Sequence, residues 1–117
     1  QASTGTWNNV DHNLGGSDSG VLPGLKTGDS MVTSCELRMV RRFNSFNGSG
    51  TTQSAVFPAN ATLDSLFGNT EAFGAGSNVF PSFRLVGLSP STGYDFTFYA
   101  SRMGATDRRE TLYTWLG

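Results

Sequence analysis

Apolar and polar side chains alternate with a period of two through much of this chain, the spacing of strands with one covered face. From Met31 to Phe43, residues Met31, Thr33, Cys35, Leu37 and Met39 share one parity, and Ser34, Glu36 and Arg38 the other. This predicts one long strand. Val40 breaks the alternation just before Arg41 and Arg42, which predicts a bulge or the strand's exit into solvent. Val79 to Val86 returns to strand character, with Phe83 and Leu85 on one parity. After the turn signal Gly87–Gly93, residues Tyr94, Phe96, Phe98 and Ala100 alternate with Asp95, Thr97, Tyr99 and Ser101, which predicts a central strand. Glu110 to Leu116 alternates once more and predicts a last strand.

Between these runs lie breakers. The first thirty residues are dense in Gly, Asn, Asp and Ser, and predict a turn-rich entry with one or two short strands rather than a helix. Asn44 to Thr52 reads as a loop whose Asn47-Gly48 pair suits a tight turn with positive φ. Asn60 is placed to cap a short helix from Ala61 to Phe67, with Gly68 as its left-handed exit. Asn69 to Asn78 reads as a Gly-rich surface loop. Strands at this spacing with a single short helix predict an all-β domain over residues 1–117, a two-sheet sandwich of the jelly-roll or immunoglobulin-like kind.

Composition narrows the partners. Eight basic residues against nine acidic give a net charge of -1, and Lys26 is the one lysine, so the positive stripe that phosphate binding needs is missing from the sequence. No apolar run reaches the ~20 residues of a membrane-spanning helix. Charged residues make up 15% of the chain, and Gly, Ser, Thr and Asn are abundant, a surface common in secreted and virion proteins. A chain opening at Gln1 is expected to be a mature or excised product. Cys35, the single cysteine, has no internal partner and sits in an alternating run where a small covered hydrophobe is expected.

Catalysis finds little support. Asp11-His12 with the many serines could be arranged as a triad, but no Gly-x-Ser-x-Gly elbow is present, and neighbours on a strand point to opposite faces. One His and one Cys do not make a zinc site. Calcium is chemically possible at the Asp11–Asp18 loop but not indicated, because no EF-hand register exists and turn-forming Asp explains the same letters. No cofactor is therefore expected. Trp7, Tyr99, Tyr113 and Trp115 are candidates for stacking on a sugar or a partner, against the ordinary alternative that they pack internally. Arg102, Arg108 and Arg109 bracket a hairpin with Asp107 and Glu110. They are candidates for gripping a glycan hydroxyl or a partner carboxylate, although the favoured reading is that Arg102 and Arg109 pair with Glu110, Asp107 or loop carbonyls and so hold the hairpin and helix together.

Several of these letters recur as a pattern. Ala61-Thr62 with Asp64-Ser65, then Gly87-Leu88, the strand ending Ala100-Ser101-Arg102, and Arg109-Glu110-Thr111 followed by Tyr113-Thr114 resemble a β-sandwich module of bacteria and phages. Trp7-Asn8-Asn9 resembles its opening strand. The module occurs beside SGNH-type esterases, in secreted glycan-associated proteins and in phage tail proteins. The resemblance implies further C-terminal strands beyond those found here, and it implies no hydrolase activity, since no esterase block accompanies it. It also makes the N-glycosylation patterns at Asn47 and Asn60 uninformative.

Two functions are expected from these observations. The first is a non-catalytic structural module of an extracellular or virion surface, which self-associates or packs on a protein neighbour. The second is a carbohydrate-binding module of a secreted glycan-active protein. Neither nucleic acid nor a membrane span is expected.

Overall fold

Leu37 lies opposite Leu85 and Met39 opposite Phe83, so the apolar parities of two separate runs meet on one face of one sheet. The computed structural model describes residues 5–74 and 76–117, and any expectation touching residues 1–4 or Ala75 lies outside them. In chain order the elements are α1 (His12–Gly15), β1 (Val21–Leu22), β2 (Glu36–Arg41), β3 (Ser45–Asn47), α2 (Ala59–Leu63), β4 (Ser65–Phe67) and β5 (Ser82–Val86). β1, β2 and β5 form one antiparallel sheet in that order, and β3 and β4 form a second antiparallel pair. The regular structure is thus mostly antiparallel strand with little helix.

The faces of the larger sheet differ in chemistry. Leu22, Leu37, Met39, Phe83 and Leu85 share the apolar face, because directly opposed residues point the same way. Val21, Glu36, Arg38, Arg84 and Val86 share the other. Register shifts between Met39 and Arg41, the irregularity predicted by the broken alternation at Val40. The strand begins later than its pattern, at Glu36, because residues 25–35 fold on themselves. Leu25 N–H donates to Cys35 O at 2.8 Å, Thr33 N–H to Leu25 O at 2.9 Å and Thr27 N–H to Met31 O at 2.9 Å.

Other local expectations are corrected. The Gly-rich entry contains a helical turn, α1, because the Asp11 carboxylate accepts from Leu14 N–H at 2.8 Å and caps it. The second helix is earlier and shorter than predicted. It starts after Pro58, whose φ of -61° suits a helix entry, and ends at Asp64 with φ -119°. Asn60 therefore lies inside it, and Ser65–Phe67 leaves as β4 to pair with β3, an element read from the sequence as loop. Gly68 and Gly48 are not among the positive-φ glycines.

The largest departure is C-terminal. Residues 94–101 form no strand, nor do residues 110–116, and all but Ser101 are exposed. Among the described residues Met39, 5% exposed, is the one buried hydrophobe, joined by buried Thr62 and Asn47. The accessible surface is 8582 Å². A compact chain of 12.5 kDa exposes about 6,200 Å², so roughly 2,400 Å² more than that faces solvent. The radius of gyration of 14.9 Å likewise exceeds the ~13 Å of a compact domain this long.

Candidate functional site

The exposed C-terminal segments keep a strand-like register without a backbone ladder. Phe96 packs on Trp115 with ring centres 4.2 Å apart, and Phe98 stacks on Tyr113 at 4.5 Å with planes 16° apart. Stepping two residues forward on one segment matches two residues back on the other, which is antiparallel hairpin geometry. Tyr94 extends the row, 6.4 Å from Phe96, and its hydroxyl accepts from Ser89 N–H at 2.9 Å. These five rings are each 39–51% exposed. Leu112 and Leu116, of the opposite parity, are 90% and 88% exposed.

The hairpin is latched at its turn end. Ser101 Oγ donates to Thr62 O at 2.7 Å and accepts from Thr51 N–H at 3.1 Å, while Met103 N–H donates to Ser49 O at 2.6 Å. Gly50 lies in the middle of this contact, its N–H on Leu63 O at 2.6 Å. A Cβ there would run into the Thr62 carbonyl oxygen and approach Ser101 Oγ. Arg102 reaches back to Asn47, whose Oδ1 accepts from the guanidinium at 3.3 Å and from Ser49 N–H at 3.2 Å. The buried Asn47 Nδ2 has no partner.

The remaining hairpin charges pair locally. Arg109 Nε binds Asp107 at 2.9 Å and Arg108 binds Glu110 at 2.5 Å. The Arg109 hydrogen bond, together with weaker backbone and charge effects, holds the Asp107 carboxyl below its ordinary 3.8. Arg102, Arg108 and Arg109 are therefore all engaged inside the chain, in line with the favoured reading. They do not converge on one point.

The sequence candidates divide into two groups. Tyr113 and Trp115 belong to the hairpin row, whereas Tyr99 turns the other way and meets Phe57 at 5.3 Å, with Trp7 edge-on to the same ring at 6.5 Å. Trp7, 44% exposed, forms a wall of a cleft of about 490 Å³ whose lining includes Asp11, His12, Phe46, Asp64 and Ser65. A shallower recess of about 300 Å³ lies against Trp7 beside Lys26, Thr27 and Gly28. His12 packs edge-on to Phe46 at 5.0 Å, and among the described residues no hydrogen bond joins it to Asp11 or Ser65. The sequence marks Asn47 as a turn residue and does not mark Phe57. The apolar letter of Phe57 is a signal for packing, but nothing local identifies Asn47 as the partner of Arg102, 55 residues away.

In the Asp11–Asp18 loop, one carboxylate oxygen of Asp11 caps α1 and one of Asp18 accepts from Arg42 N–H at 2.7 Å. No group of three or more His, Cys, Asp or Glu among the described residues is placed to hold a metal ion. Cys35 is half-buried, with Sγ donating to Gly87 O at 3.2 Å. No helix among the described residues is long and apolar enough to cross a membrane. Comparison with family models, with curated proteins and with solved structures gave no match, so the chemistry of the hairpin face and the Trp7 cleft is what a functional reading rests on.

Proposed function

We propose that this chain is a non-catalytic assembly module of an extracellular or virion surface, which packs against like copies or a neighbouring protein through its C-terminal hairpin. In this reading the two sheets are parts of a jelly-roll or immunoglobulin-like sandwich that association completes. The observation that carries it is the row Tyr94, Phe96, Phe98, Tyr113 and Trp115, five rings in register yet 39–51% exposed. Aromatic rings deliver much contact area at little entropic cost and dominate interface energetics. A surplus of ~2,400 Å² is of the size that permanent interfaces bury. Low charge and abundant hydroxyl and amide groups support an extracellular or virion setting. The test is solvent protection of the hairpin: in the native assembly, Trp115 should resist quenching by acrylamide and Phe96→Ala with Trp115→Ala should release the chain. Free quenching and unchanged assembly in the double variant would sink the reading.

A second reading, carbohydrate binding, is favoured by the Trp7 cleft, whose lining combines an indole with polar side chains around a space large enough for a sugar ring. Glycan-array binding that disappears in Trp7→Ala, with assembly intact, would select it.

A further inference from the structure

The larger sheet has one open edge. β5 pairs with β2 along one side, and among the described residues no strand or hydrogen bond lies along its other side. Three features on that edge are incomplete. Phe83 closes the apolar face but remains 39% exposed. Arg84 lies directly opposite Arg38, a like-charged cross-strand pair, and Arg38 takes Glu36 for itself, leaving Arg84 with no acidic partner among the described residues. The backbone groups of a five-residue strand also remain without a neighbouring strand.

Residues 94–98 are the chemical complement. Tyr94, Phe96 and Phe98 would continue the apolar face over Phe83, and Asp95 on the opposite parity would reach the charged face beside Arg84. Asp95 has no ionic partner among the described residues either. The match is two-sided: apolar on apolar, and carboxylate on the unpaired guanidinium. Within one molecule the same segment is committed elsewhere, since Ser101 and Met103 hold its end on residues 49–51 and Thr62.

Resting on the assembly reading above, we propose that the occupant of the β5 edge is the 94–101 segment of a second copy of this chain, added antiparallel and exchanged reciprocally. One molecule carries both the receptive edge and the strand that fits it, which is the condition for a two-fold, self-complementary contact.

Charge exchange across the contact tests this. Wild type should be a dimer by light scattering at micromolar concentration. Arg84→Asp alone and Asp95→Arg alone each set like charges together, which should weaken the dimer about 100-fold or more. Mixing the two variants should restore it, because each interface of the mixed dimer then holds one acid and one base. Restoration also shows that both variants fold. If wild type dimerises and neither variant changes its affinity, the edge pairing is wrong while assembly through the aromatic row stands. If wild type is monomeric and NMR contacts place its own residues 94–98 on β5, the exchange is overturned. A dimer that survives both charge variants and also Phe96→Ala with Trp115→Ala would remove the aromatic-row reading too.

Discussion

Phe98 and Tyr113 stack with their planes 16° apart, fifteen residues apart in sequence and with no backbone ladder between their segments. The ring pair and its neighbour, Phe96 on Trp115, thus hold the hairpin's register by side chains. Offset ring pairs contribute about 0.5–1.5 kcal/mol beyond area burial. Phe98→Ala in the dissociated chain should therefore cost roughly 1–2 kcal/mol, below the 3–5 kcal/mol of a fully buried Phe. Urea melts at low and high protein concentration check this. The penalty should grow with concentration if association covers the ring, and a constant penalty of the buried size would contradict its exposure.

Ser101→Ala removes a donor to Thr62 O and an acceptor for Thr51 N–H in one step. A half-buried polar group left without its partner costs about 1–3 kcal/mol. Amide exchange at Thr51 should accelerate by the corresponding factor, while exchange in β2 should change little. Unchanged protection at Thr51 would mean the latch is not formed in solution.

Gly50→Ala forces a methyl group against the Thr62 carbonyl oxygen and Ser101 Oγ, neither of which can withdraw without opening the latch. The expected loss is about 1–3 kcal/mol. Gly28 has nothing near its would-be Cβ and no left-handed φ, so Gly28→Ala should stay within about 0.5 kcal/mol of wild type. Equal thermal midpoints for the two variants would refute the tight approach at Gly50.

Asp107 offers a pH test. Its folded carboxyl is held below 3.8 mainly by the Arg109 hydrogen bond, so the pair's stabilisation is present above the unfolded value and fades as pH falls through the folded one. Carboxyl NMR should show Asp107 titrating below 3.8, with Arg109→Gln moving it upward. The group is at the surface, so added salt should shrink the difference.

The alternation of side chains made one level of this architecture legible and left the next unread. Leu37, Met39, Phe83 and Leu85 stand on the face their parity predicts, and Val40 marks the irregularity it should. The same rule sorted Phe96 and Phe98 to one side of their segment but could not say what lies alongside it. Period two encodes which side chains share a face, while strand neighbours depend on long-range partners. The helix boundary failed for a local reason, since Pro58 offered an earlier start than Asn60 and Ser65–Phe67 had a strand to join. Of the candidate residues, Arg108 and Arg109 pair with acids beside them in sequence, whereas the partner of Arg102 is Asn47, 55 residues away. The meeting of Trp7 and Tyr99 across Phe57 needed the folded chain.

The two margins of the larger sheet are built differently. Beyond the two residues of β1, the backbone of the β2 run is met by turns rather than strands: Met39 N–H by Gly20 O at 2.8 Å, Arg42 N–H by the Asp18 carboxylate, and Phe43 N–H by Gly15 O at 2.8 Å. Turn carbonyls and a side-chain oxygen satisfy donors without presenting a fresh row of their own. The sheet therefore has a stopped end and a receptive end. Strand addition to this sheet is therefore confined to its β5 side, because the opposite margin offers only the two residues of β1 backed by turns.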